Sequence, residues 1–367
     1  MNFDLTEDQA MLKAAVERFV ADSYGGDLEA RRKARITPAG FSAAHWARLA
    51  ETGVLALPVS AANGGLGGSH VDIMVVMEAL GRGLVAEPVL EALIAAALLD
   101  TAGPTTALDP LITGKALAVL AHAEREARYN LAHVGTSATV HGDKVRLDGT
   151  KIAVNAGGLA NHLIVSAREA GNTRDAQGIA FWLVPADAVG IDRRSFRLAD
   201  GSVAAEITLR QVEMPTSARI ATGLDTLTPV VALARLGAAA EMLGLMTLLF
   251  DTTLAYVKTR TQFGQPLGAF QVIQHRMTDA YVLVEQARSQ VVRAALASDS
   301  DFVRAAAGAK SYVAESALTV AHTAVQMHGG MGITDELLIG HALKRIRVLA
   351  LTFGDATTAL DDYRNAA

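Results

Sequence analysis

The chain has 367 residues, 51% of them hydrophobic, a formal net charge of −5 and no cysteine. Without thiols there are no disulfides, thiolate nucleophiles or thiolate metal sites, and a mild negative charge with no basic run argues against nucleic acid as the main partner. The length predicts two or three domains at about 100–200 residues each, and no uninterrupted apolar run reaches the roughly 18–20 residues needed to span a membrane.

The N-terminus, MNFDLTEDQAMLKAAVERFV, has no basic lead or cleavage site, so it does not read as a signal peptide. Thr6 followed by Asp8 and Gln9 reads instead as a helix start, and a cytoplasmic location is expected. DQAMLKAAVERFVADSY and VDIMVVMEALGRGL carry apolar residues at helical spacing, separated by the Gly-rich loop LPVSAANGGLGGSH. Residues 1–112 therefore form a helical domain. The GGLGG of this loop lacks the last glycine of a dinucleotide fingerprint, because His70 stands there, and no βαβ pattern surrounds it. A surface loop is the expected reading.

Residues 113–225 change texture. TSATVHGDKVRLDGTKIAV reads as three short β runs with hairpin turns at Gly142-Asp143 and Asp148-Gly149. HLIVSA, GIAFWLVP and AEITLRQVEMP add three more strands, which predicts a small antiparallel β domain. Residues 226–367 return to long helical patterns: VVALARLGAAAEMLGLMTLLFDTTLAYVKTR, HRMTDAYVLVEQARSQVVRAALA and VRAAAGAKSYVAESALTVAHTAVQMH. The third can end at Gly329-Gly330 in the left-handed region. With a C-terminal helix these predict a four-helix bundle, and their Ala, Val and Leu faces predict an oligomer interface. The fold class is α+β multidomain: helical, antiparallel β, helical.

The histidines form no i,i+4 pair and no H-E-x-x-H, and no G-x-S-x-G elbow is present. Two segments stand out. RTQFGQPLGAFQVIQH, 260–275, joins a guanidinium, an aromatic ring and several amides around a Gly-Gln-Pro break. QMHGGMGITDE, 326–336, sets Gln326 beside glycine backbone. Arg260 suits a phosphate, Phe263 an aromatic face, Gln271 a ring edge, and glycine lets backbone approach a ligand closely. From the residues alone a cofactor site and a plain helix-hairpin join stand level.

At these residues the chain resembles the acyl-CoA dehydrogenase family, through its Arg-x-x-Phe-Gly…Gln and Gln-x-x-Gly-Gly-x-Gly signatures and its domain order. It is similar above all to the small subunits of two-component members, such as those acting on pimeloyl-CoA or on steroid side chains, through FQVIQHRMTDAYVLVEQARS and FGDATTAL. The resemblance implies a tetrameric FAD enzyme that desaturates an acyl-CoA thioester in fatty acid or steroid side-chain catabolism. It would pair as α2β2 with a homologous subunit and pass electrons to an electron-transferring flavoprotein. It places Arg260 and Gln262 at the FAD pyrophosphate, with Phe263, Phe270 and Gln271 along the cofactor. Gln326, Gly329 and Gly330, presented from another subunit, would hold the adenosine half. Asn155 falls at the flavin ring, and Thr357 joins the cofactor contacts.

The same resemblance places Arg235 and Gly354 at the substrate and exposes departures. One familiar base position, counted without gaps from Gly330, falls on Phe353; the other, before Arg235, falls on Ala234. Neither side chain takes a proton. The nearest carboxylates are Asp355, the candidate catalytic residue, and Glu241, about 10 Å along the helix axis from Ala234 at 1.5 Å per residue. Ala123 replaces a Thr beside the retained Glu124, and Ala153 stands where an aromatic covers the flavin. The expectation is a subunit whose partner brings the base; the alternatives are a non-catalytic subunit completing the partner's FAD site and, less favoured, a related flavin oxidase.

Overall fold

The computed structural model describes residues 4–25, 28–103 and 105–366. The chain begins with helices α1 (Glu7–Ser23), α2 (Leu28–Ile36), α3 (Ala43–Glu51), α4 (His70–Arg82), α5 (Val89–Thr101) and α6 (Leu108–Ile112). Strands follow: β1 (Ala118–Ala121), β2 (Ser137–His141), β3 (Lys144–Asn155), β4 (His162–Arg168), β5 (Ile179–Pro185), β6 (Ile191–Arg197), β7 (Val203–Pro215) and β8 (Arg219–Thr222). Then come α7 (Leu224–Thr259), the short strands β9 (Thr261–Gln262) and β10 (Gln265–Pro266), and α8 (Gln271–Ala295), α9 (Asp299–His328), α10 (Leu338–Leu351) and α11 (Ala356–Asn365). The helical, β, helical order is the predicted one. Contacts divide the chain into two compact units, one of the described residues up to Lys33 with His70–Val85 and Ala232 onward, the other of Ala34–Ser69 and Ala86–Val231.

In the first unit α1 starts where its capping residues stand. The Thr6 side chain accepts the Gln9 backbone N–H at 3.2 Å, and the Gln9 side chain accepts that of Thr6 at 3.1 Å. An 18-residue window of α7 reaches mean hydropathy 1.5, long and apolar enough to cross a membrane, yet 89% of it is buried, as the core helix of the bundle. Two glycines let α4 and α7 cross closely. A Cβ on Gly81 would lie 2.1 Å from the Glu241 carbonyl oxygen, and one on Gly244 2.1 Å from that of Glu78. α8, α10 and α11 pack on α9, whose buried alanines, Ala305, Ala309, Ala317 and Ala321 among them, bring its backbone near its neighbours. The C-terminal helical bundle thus follows from small residues on α9 and large ones on α7.

In the second unit the sheet runs β6-β7-β3-β2-β4-β5-β8, with β1 beside β4. Two predictions are corrected. Asp148-Gly149 is no hairpin: β3 runs through it, with a register shift against β7 between Leu147 and Gly149. Gly149 is needed because a Cβ there would meet the Thr136 Cα at 2.7 Å. Nor is the sheet wholly antiparallel, since β1 runs parallel to β4. Phe181 and Trp182 of β5 are fully buried, and α5 packs on β1.

Candidate cofactor and substrate site

The two signature segments meet at one end of the bundle. α7 and α9 finish there and α8 starts there, and Val257, Met277 and Met327 form an apolar cluster joined by Tyr256, Leu267 and Ile273. The Tyr256 ring stacks on His328, centroids 4.3 Å apart, and His328 Nδ1 lies 2.8 Å from the Ala324 carbonyl oxygen. Over this cluster β9 and β10 form a tight hairpin pairing Gln262 with Gln265. Phe263 and Gly264 at its tip have φ of +53° and +80°, and Phe263 is 91% exposed, touching Phe270 edge to face with ring centroids at 6.2 Å. Phe270 is the N-cap residue of α8 and Gln271 its first residue.

Arg260, Gln262, Gln271 and Gln326 are all exposed. Among the described residues no ion pair engages Arg260. Gly329 ends α9 with φ +61° and ψ −144°, a conformation suited to glycine rather than the left-handed helical one. A Cβ on Gly329 or Gly330 would meet nothing within 4 Å. A free guanidinium, amide side chains and open glycine backbone on one surface fit the polar tail of a dinucleotide. Both segments lie at this one end of the bundle.

The second feature is the turn from α10 to α11. Phe353 and Gly354 have φ of +57° and +109°. Arg235, on α7 and 4% exposed, donates from Nε to the Phe353 carbonyl at 2.9 Å and from Nη2 to Asp362 Oδ2 at 2.5 Å. Its guanidinium therefore supports the turn. Lys310 of α9 is fully buried and donates to the Ala350 and Gly354 carbonyls at 2.9 and 2.7 Å. Burial, then repulsion from Arg235, lowers its pKa to about 7, with Asp355 opposing. The Asp355 side chain accepts the Thr358 N–H at 2.8 Å and caps α11; Thr357 lies exposed in the first turn of that helix. Ala234 is fully buried. Glu241, 5% exposed, is gripped by Arg345, Nε to Oε1 at 2.6 Å and Nη2 to Oε2 at 2.9 Å, so both its oxygens are occupied.

In the β unit Asn155 ends β3, half-buried and paired with Ala204. Ala153 is exposed with φ +49° beside a second register shift. Glu124 accepts from Gly135 N–H at 2.6 Å, from Thr136 N–H and Oγ1 at 2.9 and 2.6 Å and from Lys151 Nζ at 2.7 Å. Burial pushes Glu124 up, but Lys151 and these donors together outweigh it and hold the carboxyl at about 2. The retained Glu124 thus pins the Gly135-Thr136 backbone, and its apolar neighbour Ala123 offers no hydroxyl. Lys310, Arg345 and Lys151 were not singled out in the sequence; Lys310 and Lys151 are each the only cation within several residues, the one signal that marks them, while Arg345 is hidden beside Lys344 and Arg347.

Comparisons agree with this layout. The N-terminal, middle and C-terminal domains of acyl-CoA dehydrogenase match residues 6–105, 119–212 and 221–363. The chain is 31% identical to acyl-CoA dehydrogenase IpdE2 of Mycolicibacterium smegmatis over 95% of this chain and 96% of that one. It is 28% identical to the probable acyl-CoA dehydrogenase YngJ of Bacillus subtilis over 98% and 97%. Among solved structures, the ChsE4-ChsE5 complex from Mycobacterium tuberculosis superposes with TM-score 0.89 at 25% identity, covering 100% of this chain and 98% of that one. The Tcur3481-Tcur3483 steroid ACAD gives 0.86 at 27%, covering 98% and 97%. PigA with FAD and proline gives 0.91 at 25%, covering 100% and 98%. Three domains matched in order and a relative above 30% identity over nearly the whole length establish that the chain belongs to the acyl-CoA dehydrogenase family.

Proposed function

We propose that this chain is one subunit of a heteromeric FAD-dependent acyl-CoA dehydrogenase whose homologous partner supplies the catalytic base. The observation that carries the reading is chemical: Phe353 and Ala234 stand at both base positions implied by the family resemblance, while the FAD-tail residues Arg260, Gln326, Gly329 and Gly330 are kept. Glu241 is bound by Arg345, and Asp355 caps a helix.

FAD, when bound, supplies the hydride acceptor. Arg260 would carry its pyrophosphate by a charge-assisted contact, with Gln262 beside it and Phe263, Phe270 and Gln271 along its length. Gln326, Gly329 and Gly330 would take the adenosine half on the same bundle end, and Asn155 and Thr357 complete the proposed set. This chain's residues bind and orient; Gly354 offers backbone to the thioester, and the α-proton goes to the partner's carboxylate. Electrons leave to an electron-transferring flavoprotein. The acyl group proposed is of the steroid side-chain kind, because one two-component neighbour is named a steroid enzyme.

The test is co-expression with the homologous partner. Turnover of an acyl-CoA should need both chains, and replacing the partner's base carboxylate should remove it with flavin retained. If Asp355→Asn alone stops turnover while flavin stays bound, the base is Asp355 and the reading fails. A second reading, a non-catalytic subunit that only completes the partner's FAD site, is favoured by the occupied state of Arg235. It predicts that an obstruction at Gly354 leaves turnover intact.

A further inference from the structure

The turn between α10 and α11 is held from more directions than chain reversal requires. Phe353 and Gly354 both have positive φ, which glycine takes freely but which at Phe353 is strain that persists only where the surroundings over-determine the backbone. Here they do. Arg235 on α7 takes the Phe353 carbonyl, Lys310 on α9 takes those of Ala350 and Gly354, and Ser311 Oγ donates to the Ala356 carbonyl at 2.9 Å. Two buried cations from different helices converge on one short segment, although they repel each other. Burying like charges together is unfavourable, so a site that needed only a bend would be built more simply with glycine and an apolar floor.

We infer that Lys310 and Arg235 are positioning residues, which together hold the Phe353–Asp355 turn in its strained conformation and so set the pose of the acyl-CoA contact at Gly354. The substrate half of this rests on the reading above; the conformational half does not. Lys310 also makes the turn responsive to pH. The charged groups acting on it are Arg235 from α7, with Asp362 of α11 bonded to that guanidinium, and Asp355 from the turn itself, while α10 presents the Ala350 carbonyl. As an ammonium it attracts Asp355 and the two carbonyls; as an amine, near and above neutral pH, it keeps weak donors and loses the charge.

The experiment compares wild type, Lys310→Met and Lys310→Gln in the complex with the partner. Gln keeps N–H donors without charge and is the safeguard should Met fail to fold. Hydrogen exchange of the Thr352–Thr358 amides should quicken at least tenfold in Lys310→Met, with the rest of the bundle within twofold. KM for an acyl-CoA should rise about five- to tenfold with kcat within twofold. Wild-type KM should climb between pH 6 and 8.5, and both variants should be high and flat across that range. Unchanged local exchange overturns the proposal. Faster exchange with KM and its pH profile unmoved leaves Lys310 a structural lysine and overturns the positioning role. A wild-type complex with no acyl-CoA turnover sinks the functional reading instead, and exchange alone then decides the turn.

Discussion

Replacing Arg345 by Met should strand a carboxylate in the bundle core. Glu241 and Arg345 are 5% and 8% exposed and share two charge-assisted bonds at 2.6 and 2.9 Å. Removing one partner leaves the other charged and desolvated, which costs about 3–5 kcal/mol. Replacing both by Met keeps the volume and removes both charges, so Glu241→Met with Arg345→Met should return to within about 1–2 kcal/mol of wild type. For a chain of this size about 4 kcal/mol corresponds to a Tm loss of roughly 5 °C. Reversible urea unfolding of the four corners of this cycle measures the coupling directly. The reasoning is refuted if Arg345→Met costs under about 1 kcal/mol. It is equally refuted if Glu241→Gln stops turnover with fold and flavin intact, because Glu241 would then be a base.

Further outcomes follow from the same geometry. Arg260→Ala removes a charge-assisted contact of about 1.5–3 kcal/mol, so FAD should bind about tenfold to a hundredfold more weakly, and unchanged flavin content after extensive dialysis would take Arg260 out of the site. Gly330→Val meets nothing within this chain; helix content should survive while flavin or assembly is lost, and full flavin with native oligomer size would exclude that backbone from the cofactor. Glu124 has its pKa lowered to about 2, so its contribution to stability is present above about pH 4.5 and is lost as pH falls through 2. Glu124→Gln should therefore flatten the unfolding midpoint over that window, and a variant as acid-sensitive as wild type would deny the carboxylate this part.

The helices and their order were legible because apolar spacing and caps such as Thr6 and Gln9 are local. The β domain was legible only in part. β1, β6 and β8 were missed, and β1 finds its parallel partner β4 across a long connection that no local pattern announces. Asp148-Gly149 has turn chemistry, yet Gly149 serves a close approach to Thr136 inside one strand. The signature segments were visible as residues, but only the packing of Val257, Met277 and Met327 shows that they share a surface. The supporting charges were hidden for the same reason: the bond of Arg235 to the Phe353 carbonyl and the partners of Lys310 and Arg345 exist only after the chain has folded.

The central claim is that this chain borrows its base, and the most direct measurement is the rate at which the purified chain, loaded with FAD, dehydrogenates an acyl-CoA with and without the homologous partner. A thioester α-proton is too weakly acidic to leave without a positioned acceptor, and Phe353 and Ala234 provide none. The account predicts no useful turnover from the lone chain and activity on addition of the partner, lost again when the partner's base carboxylate is replaced. Brisk turnover by the lone chain would contradict it.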